Sequence, residues 1–89
     1  MLAAMSEPTL PSIHLNGTGR KMLNEGYYNA YVALQTALRT FNEIEFNARD
    51  YYVQPEGAWP KARTERDCAA AHLLQVRDYL EAHLIHLAE

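Results

Sequence analysis

Between Lys21 and Asn47 the apolar residues keep step. Leu23, Tyr27, Ala30, Leu34, Ala37, Phe41 and Ile44 follow one another at alternating intervals of four and three. That rhythm puts seven side chains on one stripe of an α-helix, whereas a strand, with faces alternating every two residues, would scatter them. A helix with one long apolar stripe must bury it against a partner. A second run supplies one: Ala62, Arg66, Ala69, Leu73, Val76, Leu80, His83 and Leu87 repeat the rhythm, and Leu84 widens it. Pro60 suits the first turn of that helix, where its missing amide costs nothing. The pattern predicts an all-α protein, an antiparallel two-helix hairpin with helices of matched length. Helix 1 is expected over about 19–47, a connection over 48–58 and helix 2 over about 59–88. Residues 1–12 hold two prolines and little periodicity and read as a flexible leader; residues 13–89 form a single domain.

Such a hairpin is hard to stabilise alone. Each helix carries apolar residues well away from its stripe, Tyr28 and Val32 on the first and Leu74 and Ile85 on the second. In 89 residues the gain from burial barely offsets an ordering entropy of ~1.5 kcal/mol per residue. The chain is therefore expected to associate with itself, as a homodimer or higher assembly, into a helical bundle. The same four residues are candidate contacts to another protein.

Composition narrows the function classes. At 48% hydrophobic and 21% charged residues the chain is not a disordered one. A net charge of −3 and a pI near 5.7 argue against a general nucleic-acid binder, which needs a basic face for phosphates. One cysteine, Cys68, excludes an intramolecular disulfide framework and fits a reducing cytoplasm. No run approaches the ~18 apolar residues of a membrane span, and no secretory h-region follows a basic start. A cytoplasmic protein without a membrane partner is expected.

The reactive side chains do not assemble into a catalytic pattern. His72, His83 and His86 share one arc of helix 2, but no Glu-x-x-His motif accompanies them, so they read as seam-edge histidines rather than metal ligands. Cys68 lacks a histidine three residues away that would activate its thiol. There is no glycine-rich phosphate loop and no Ser-His-Asp arrangement. Two helices also offer no deep pocket within one subunit. The expectation is no enzyme, no catalytic residue, no metal and no cofactor.

Two segments remain. The first runs from His14 to Arg20, with a turn at Asn16-Gly17 and Thr18 as the expected cap of helix 1. It places Arg20 and Lys21 at the positive end of a helix dipole, a poor position unless an anion sits there. The second, Asn47-Ala48-Arg49-Asp50-Tyr51-Tyr52, lies in the connection. Within one hairpin they stand at opposite ends of a helix about 40 Å long. An antiparallel two-fold dimer would bring the first segment of one subunit to the second of its partner. Asn16, Thr18, Arg20, Asn47, Arg49, Asp50, Tyr51 and Tyr52 are then candidate ligand contacts. Exposed amides and arginines suit phosphate, and tyrosine faces suit a nucleobase. The plainer alternative is structural: Asn47 and Asp50 satisfy helix ends and the tyrosines cover the tip.

Ile13-His14-Leu15-Asn16-Gly17-Thr18, an amphipathic helix, Asn47 to Tyr52, and a second helix rich in Ala, Arg and Leu together resemble a group of short tailed-phage and prophage proteins. The similarity covers about Ser6 to the C-terminus. Gly19 stands where serine is common in that group, which removes a hydroxyl but keeps the turn. The resemblance brings no catalytic residues with it. By analogy it implies a non-enzymatic accessory protein, acting in counter-defence by sequestering a nucleotide signal in inter-subunit pockets. It is equally compatible with an inhibitor or adaptor of a host protein, and with a structural phage component.

Overall fold

In the computed structural model, which describes residues 7–89, two α-helices pack side by side: α1 over Arg20–Asn42 and α2 over Ala58–Ala88. A single 3-10 turn over Ala48–Asp50 interrupts the connection, and the described residues hold no strand. Residues 1–6 of the expected leader lie outside the described residues. The helices run antiparallel. The start of α1 meets the end of α2 through Arg20 and Leu87, and the end of α1 meets the early part of α2 through Phe41 and Arg66. The molecule is 61 Å long and only 24 by 18 Å across.

The seam is rotated from the one the sequence suggests. On α1 the half-buried side chains are Leu23, Tyr27, Tyr31, Leu34, Leu38 and Phe41, while Ala30 and Ala37 are exposed. These six advance eighteen residues in five turns, the 3.6 period of a straight helix. The strict seven-residue repeat would instead impose a supercoil. Larger side chains bury more apolar area than alanine, so Tyr31 and Leu38 displace the alanines from the contact. The same shift on α2 leaves Ala69 and Val76 exposed and brings Ala70 and Arg77 part-way in.

Each helix is closed by an arginine from the other. Arg20, in the first turn of α1, donates from Nη1 to the Leu87 carbonyl in the last turn of α2. Arg66, on α2, donates from Nη2 to the Phe41 carbonyl at the end of α1, 3.4 Å away. Both cations therefore sit at the negative end of a helix dipole and satisfy a carbonyl that has no partner within its own helix. This resolves the awkward placement of Arg20: the side chain leaves the positive end of its own helix for the negative end of the neighbour.

Two boundaries differ from expectation. Thr18 is not the cap of α1; Gly19 occupies that position and no side chain bonds to the first amides. The end of α1 comes at Asn42, five residues early. Thr36 and Thr40 turn their hydroxyls back to the carbonyls of Val32 and Thr36, which weakens the ladder. Beyond them the Ile44 amide closes a tight turn onto the Phe41 carbonyl at 3.2 Å, and Ile44 falls off the seam into solvent. Tertiary packing rewards the early stop: Phe46 folds back onto Trp59 at 4.8 Å and Tyr51 at 5.9 Å between ring centres. The first turns of α2, which overhang α1, are thus covered by the connection. The helices are unequal in consequence, 23 residues against 31. Gly57 caps the start of α2 with φ 94° and ψ −8°, the third position of a turn closed by the Ala58 amide on the Pro55 carbonyl. A side chain there would strain the backbone.

The core is small. Among the described residues only Leu80, His83 and Leu87 are buried. The accessible surface is 6901 Å², whereas a compact monomer of 10.2 kDa exposes about 5,300 Å².

Candidate functional site

The eight candidate ligand contacts fall into two groups at opposite ends of the molecule, and a single chain does not bring them together. At the open end, the Gly17 amide closes a turn on the His14 carbonyl at 3.1 Å. The His14 ring lies so close that a Cβ on Gly17 would stand 2.7 Å from its Nε2. Asn16 and Thr18 are exposed and their side chains have no partner among the described residues, whereas Arg20 is engaged with Leu87. The arm before this turn is tied down: the His86 ring donates from Nε2 to the Pro11 carbonyl at 2.7 Å, with Pro8, Leu10 and Pro11 half-buried.

At the other end the 3-10 turn presents Arg49 and Asp50 to solvent, their side chains without partners among the described residues, and Tyr52 is 73% exposed. Asn47 donates weakly to Glu45 at 3.4 Å. Tyr51 belongs to the packing: its ring is 5.6 Å from that of Trp59. Arg66 completes this cluster, with its guanidinium 5.1 Å above Phe41 and 4.7 Å above Phe46. Periodicity could not reveal such a cluster, because Phe46 and Tyr51 lie outside the helices and Phe41 and Trp59 each stand one residue from a helix end. Its only signal in the sequence was the density of aromatic residues around the connection. The connection carries Glu43, Glu45, Asp50 and Glu56 against Arg49, while the first turns of α2 add Lys61 and Arg63 at the same end, Arg63 lying 5.7 Å over the Trp59 ring.

A third region, not singled out by the sequence, lies along one flank of the seam. Met22, Leu23, Gly26, Tyr27, Ala30 and Leu80 line an open apolar trough of about 360 Å³. Gly26 and Ala30 make it possible, because small residues leave the floor unfilled. Behind its Tyr27 wall three rings cluster: Tyr27 stacks on His83 at 4.3 Å and 20°, and Tyr79 lies tilted 4.4 Å from the same imidazole and 6.5 Å from Tyr27. His83 donates from Nδ1 to the Tyr79 carbonyl at 2.8 Å. A carbonyl can only accept, so this bond fixes the proton on Nδ1. Burial, and then the neighbouring Tyr79 hydroxyl, push the Tyr27 pKa above its ordinary value near 10.

The remaining candidates are plainly placed. Tyr28, Val32, Leu74 and Ile85 are 54, 45, 40 and 66% exposed. The three histidines of α2 do not converge: His83 is in its stack, His86 on Pro11 and His72 in solvent. Cys68 is a free, exposed thiol. Arg77 pairs with its sequence neighbour Asp78 at 3.2 Å, and Glu81, one turn further on, accepts from the Tyr31 hydroxyl at 3.0 Å. No described helix is long and apolar enough to cross a membrane. No protein family, curated protein or solved structure matches the chain.

Proposed function

We propose that this chain is a non-enzymatic binding protein that works as a homo-oligomer, with hairpins of two or more copies sharing one helical core. The observation that carries this reading is the shortage of core. Two buried apolar side chains, Leu80 and Leu87, do not offset the ordering of two helices totalling 54 residues at ~1.5 kcal/mol each. The surface in excess of a compact monomer, about 1,600 Å², is about twice what one partner gives up in a standard interface. Solution mass by light scattering tests it: a multiple of 10.2 kDa at micromolar concentration is expected, and a folded single chain at that concentration would end the reading.

The ligand we assign to the oligomer is a small anion of nucleotide type, held where the open end of one subunit meets the connection of another. Lys21, Arg49 and Tyr52 favour it, since all three are exposed and without partners among the described residues. The connection carries four carboxylates against Arg49, and the basic start of a second α1 would add to the positive charge that Lys61 and Arg63 already bring to that end. Arg20 and Tyr51 would contribute less than their sequence positions suggest, being already engaged. Calorimetry with linear and cyclic nucleotides decides the point, and absence of heat from any of them at protein concentrations well above micromolar removes the ligand while leaving the oligomer. A counter-defence role in the host cytoplasm, with the nucleotide as an immune signal, rests on the phage resemblance alone.

A second reading draws on the exposure of Tyr28, Val32, Leu74 and Ile85: contact with a host protein through that face. Capture of one stoichiometric host partner, lost on Val32→Asp, would favour it over the nucleotide.

A further inference from the structure

We propose that the uncharged flank of the hairpin, the side holding the trough, is where a second copy of this chain docks, antiparallel and with the two α1 helices in contact. The proposal rests on the homo-oligomeric reading and specifies its face and direction. At 100° per residue, Met22, Gly26, Ala30, Ala33 and Ala37 form one continuous stripe beside the seam. All five are exposed. Val76, 46% exposed, borders them from α2. None carries a charge. The other flank is different in kind: the Arg77–Asp78 ion pair and the Tyr31–Glu81 hydrogen bond lie there, and desolvating them would be costly.

Three observations make the occupant a second copy. The first is area: the surplus surface is about twice what a standard isologous interface removes from each subunit, enough to supply one. The second is fit. In an antiparallel pair with its axis between Tyr31 and Val32, Gly26 faces Ala37 and Ala30 faces Ala33, so small residues oppose small residues on both sides and the backbones can approach closely. The third is charge. That register sets Arg20 and Lys21 of one subunit beside Glu43 and Glu45 of the other, whereas parallel docking would gather like charges at each end.

Single-cysteine cross-linking tests the direction. Cys68→Ser removes the native thiol, and a Cβ at Gly26 meets no atom within 4 Å, so Gly26→Cys is tolerated by the hairpin. Mixing that variant with Ala37→Cys under mild oxidation should give the mixed 26–37 disulfide as the main product by mass spectrometry. Each variant alone should stay largely unlinked. Efficient self-linking of Gly26→Cys would overturn the antiparallel arrangement. An oligomeric mass with no linking at either position, but linking of Ile85→Cys, would overturn the face and leave the homo-oligomeric reading standing. A monomeric mass overturns both. Independently, Ala30→Glu should raise the self-dissociation constant at least about 100-fold, because it buries an unpaired charge. Ile85→Glu should leave that constant within about threefold.

Discussion

At the open end of the hairpin Arg20 reaches from α1 to the last turn of α2; at the turn end Arg66 reaches from α2 to the last turn of α1. The same device closes both ends, but its surroundings differ. Arg20 is exposed and touches no ring, and nearby stand the three buried residues, Leu80, His83 and Leu87. Arg66 is half-buried between two aromatic faces, and none of the described residues at its end is fully buried. The open end is thus held by apolar burial, with the arginine as an accessory. The turn end is held by ring contacts organised around the arginine itself. One chain closes its two ends by different physics because the packed seam of α1 ends at Phe41, with Ile44 in solvent, and the connection supplies only scattered aromatics.

The largest effect should come from removing burial where burial dominates. Leu80→Ala is expected to cost about 3 kcal/mol, read as a lower urea midpoint at fixed protein concentration, since association and stability are linked. Next comes the comparison of the two arginines. Arg66→Ala should cost about 2 kcal/mol, combining two cation–ring contacts with a lost carbonyl partner. Arg20→Ala should cost about 1 kcal/mol or less, the worth of an exposed cation at a helix end. Equal losses, or a larger one for Arg20, would break the contrast between the ends. Gly57→Ala sharpens it at the turn end alone. Its positive φ makes the substitution worth about 1 kcal/mol of destabilisation, with no change at the arm that Pro11 and His86 hold.

The two ends were also unequally legible. Helix α2 was readable to within a residue because Pro60, the apolar steps and Leu87 all agree with one helix. The antiparallel pairing followed from two stripes joined by one connection. The rotation of the seam was not readable: Ala30 and Tyr31 are both apolar, and only packing decides which is inward. Where α1 stops was hidden for a related reason. Ile44 continues the rhythm, and what overrules it is Phe46 docking on Trp59, a contact across the connection. At the candidate site, the exposure of Arg49 and Tyr52 agrees with their place in a polar connection. The engagement of Arg20 with a carbonyl 67 residues away leaves no local trace. The trough was missed because glycine and alanine mark absence of volume, which periodicity counts as weak apolar signal rather than as a surface.

The smallest predicted effect separates the two flanks by pH. The Tyr31 hydroxyl donates to Glu81 on the charged flank; that hydrogen bond first, then desolvation and the charge of Glu81, raise its pKa above the ordinary value near 10, with Arg77 opposing. Tyr27, beside the trough, is raised first by burial. In both cases the neutral phenol is favoured in the folded state. The stability each contributes is therefore complete below pH 10, and it is lost as pH rises through the higher folded value. Chemical denaturation between pH 8 and 11 should show a decline confined to the alkaline end. Tyr31→Phe should flatten part of that decline without altering the oligomer, because its flank faces solvent. Tyr27→Phe should flatten the rest, and its effect should shrink on dilution, because a docked second copy deepens the burial that shifts this phenol. If both substitutions respond alike to dilution, the trough is no more covered than the charged flank.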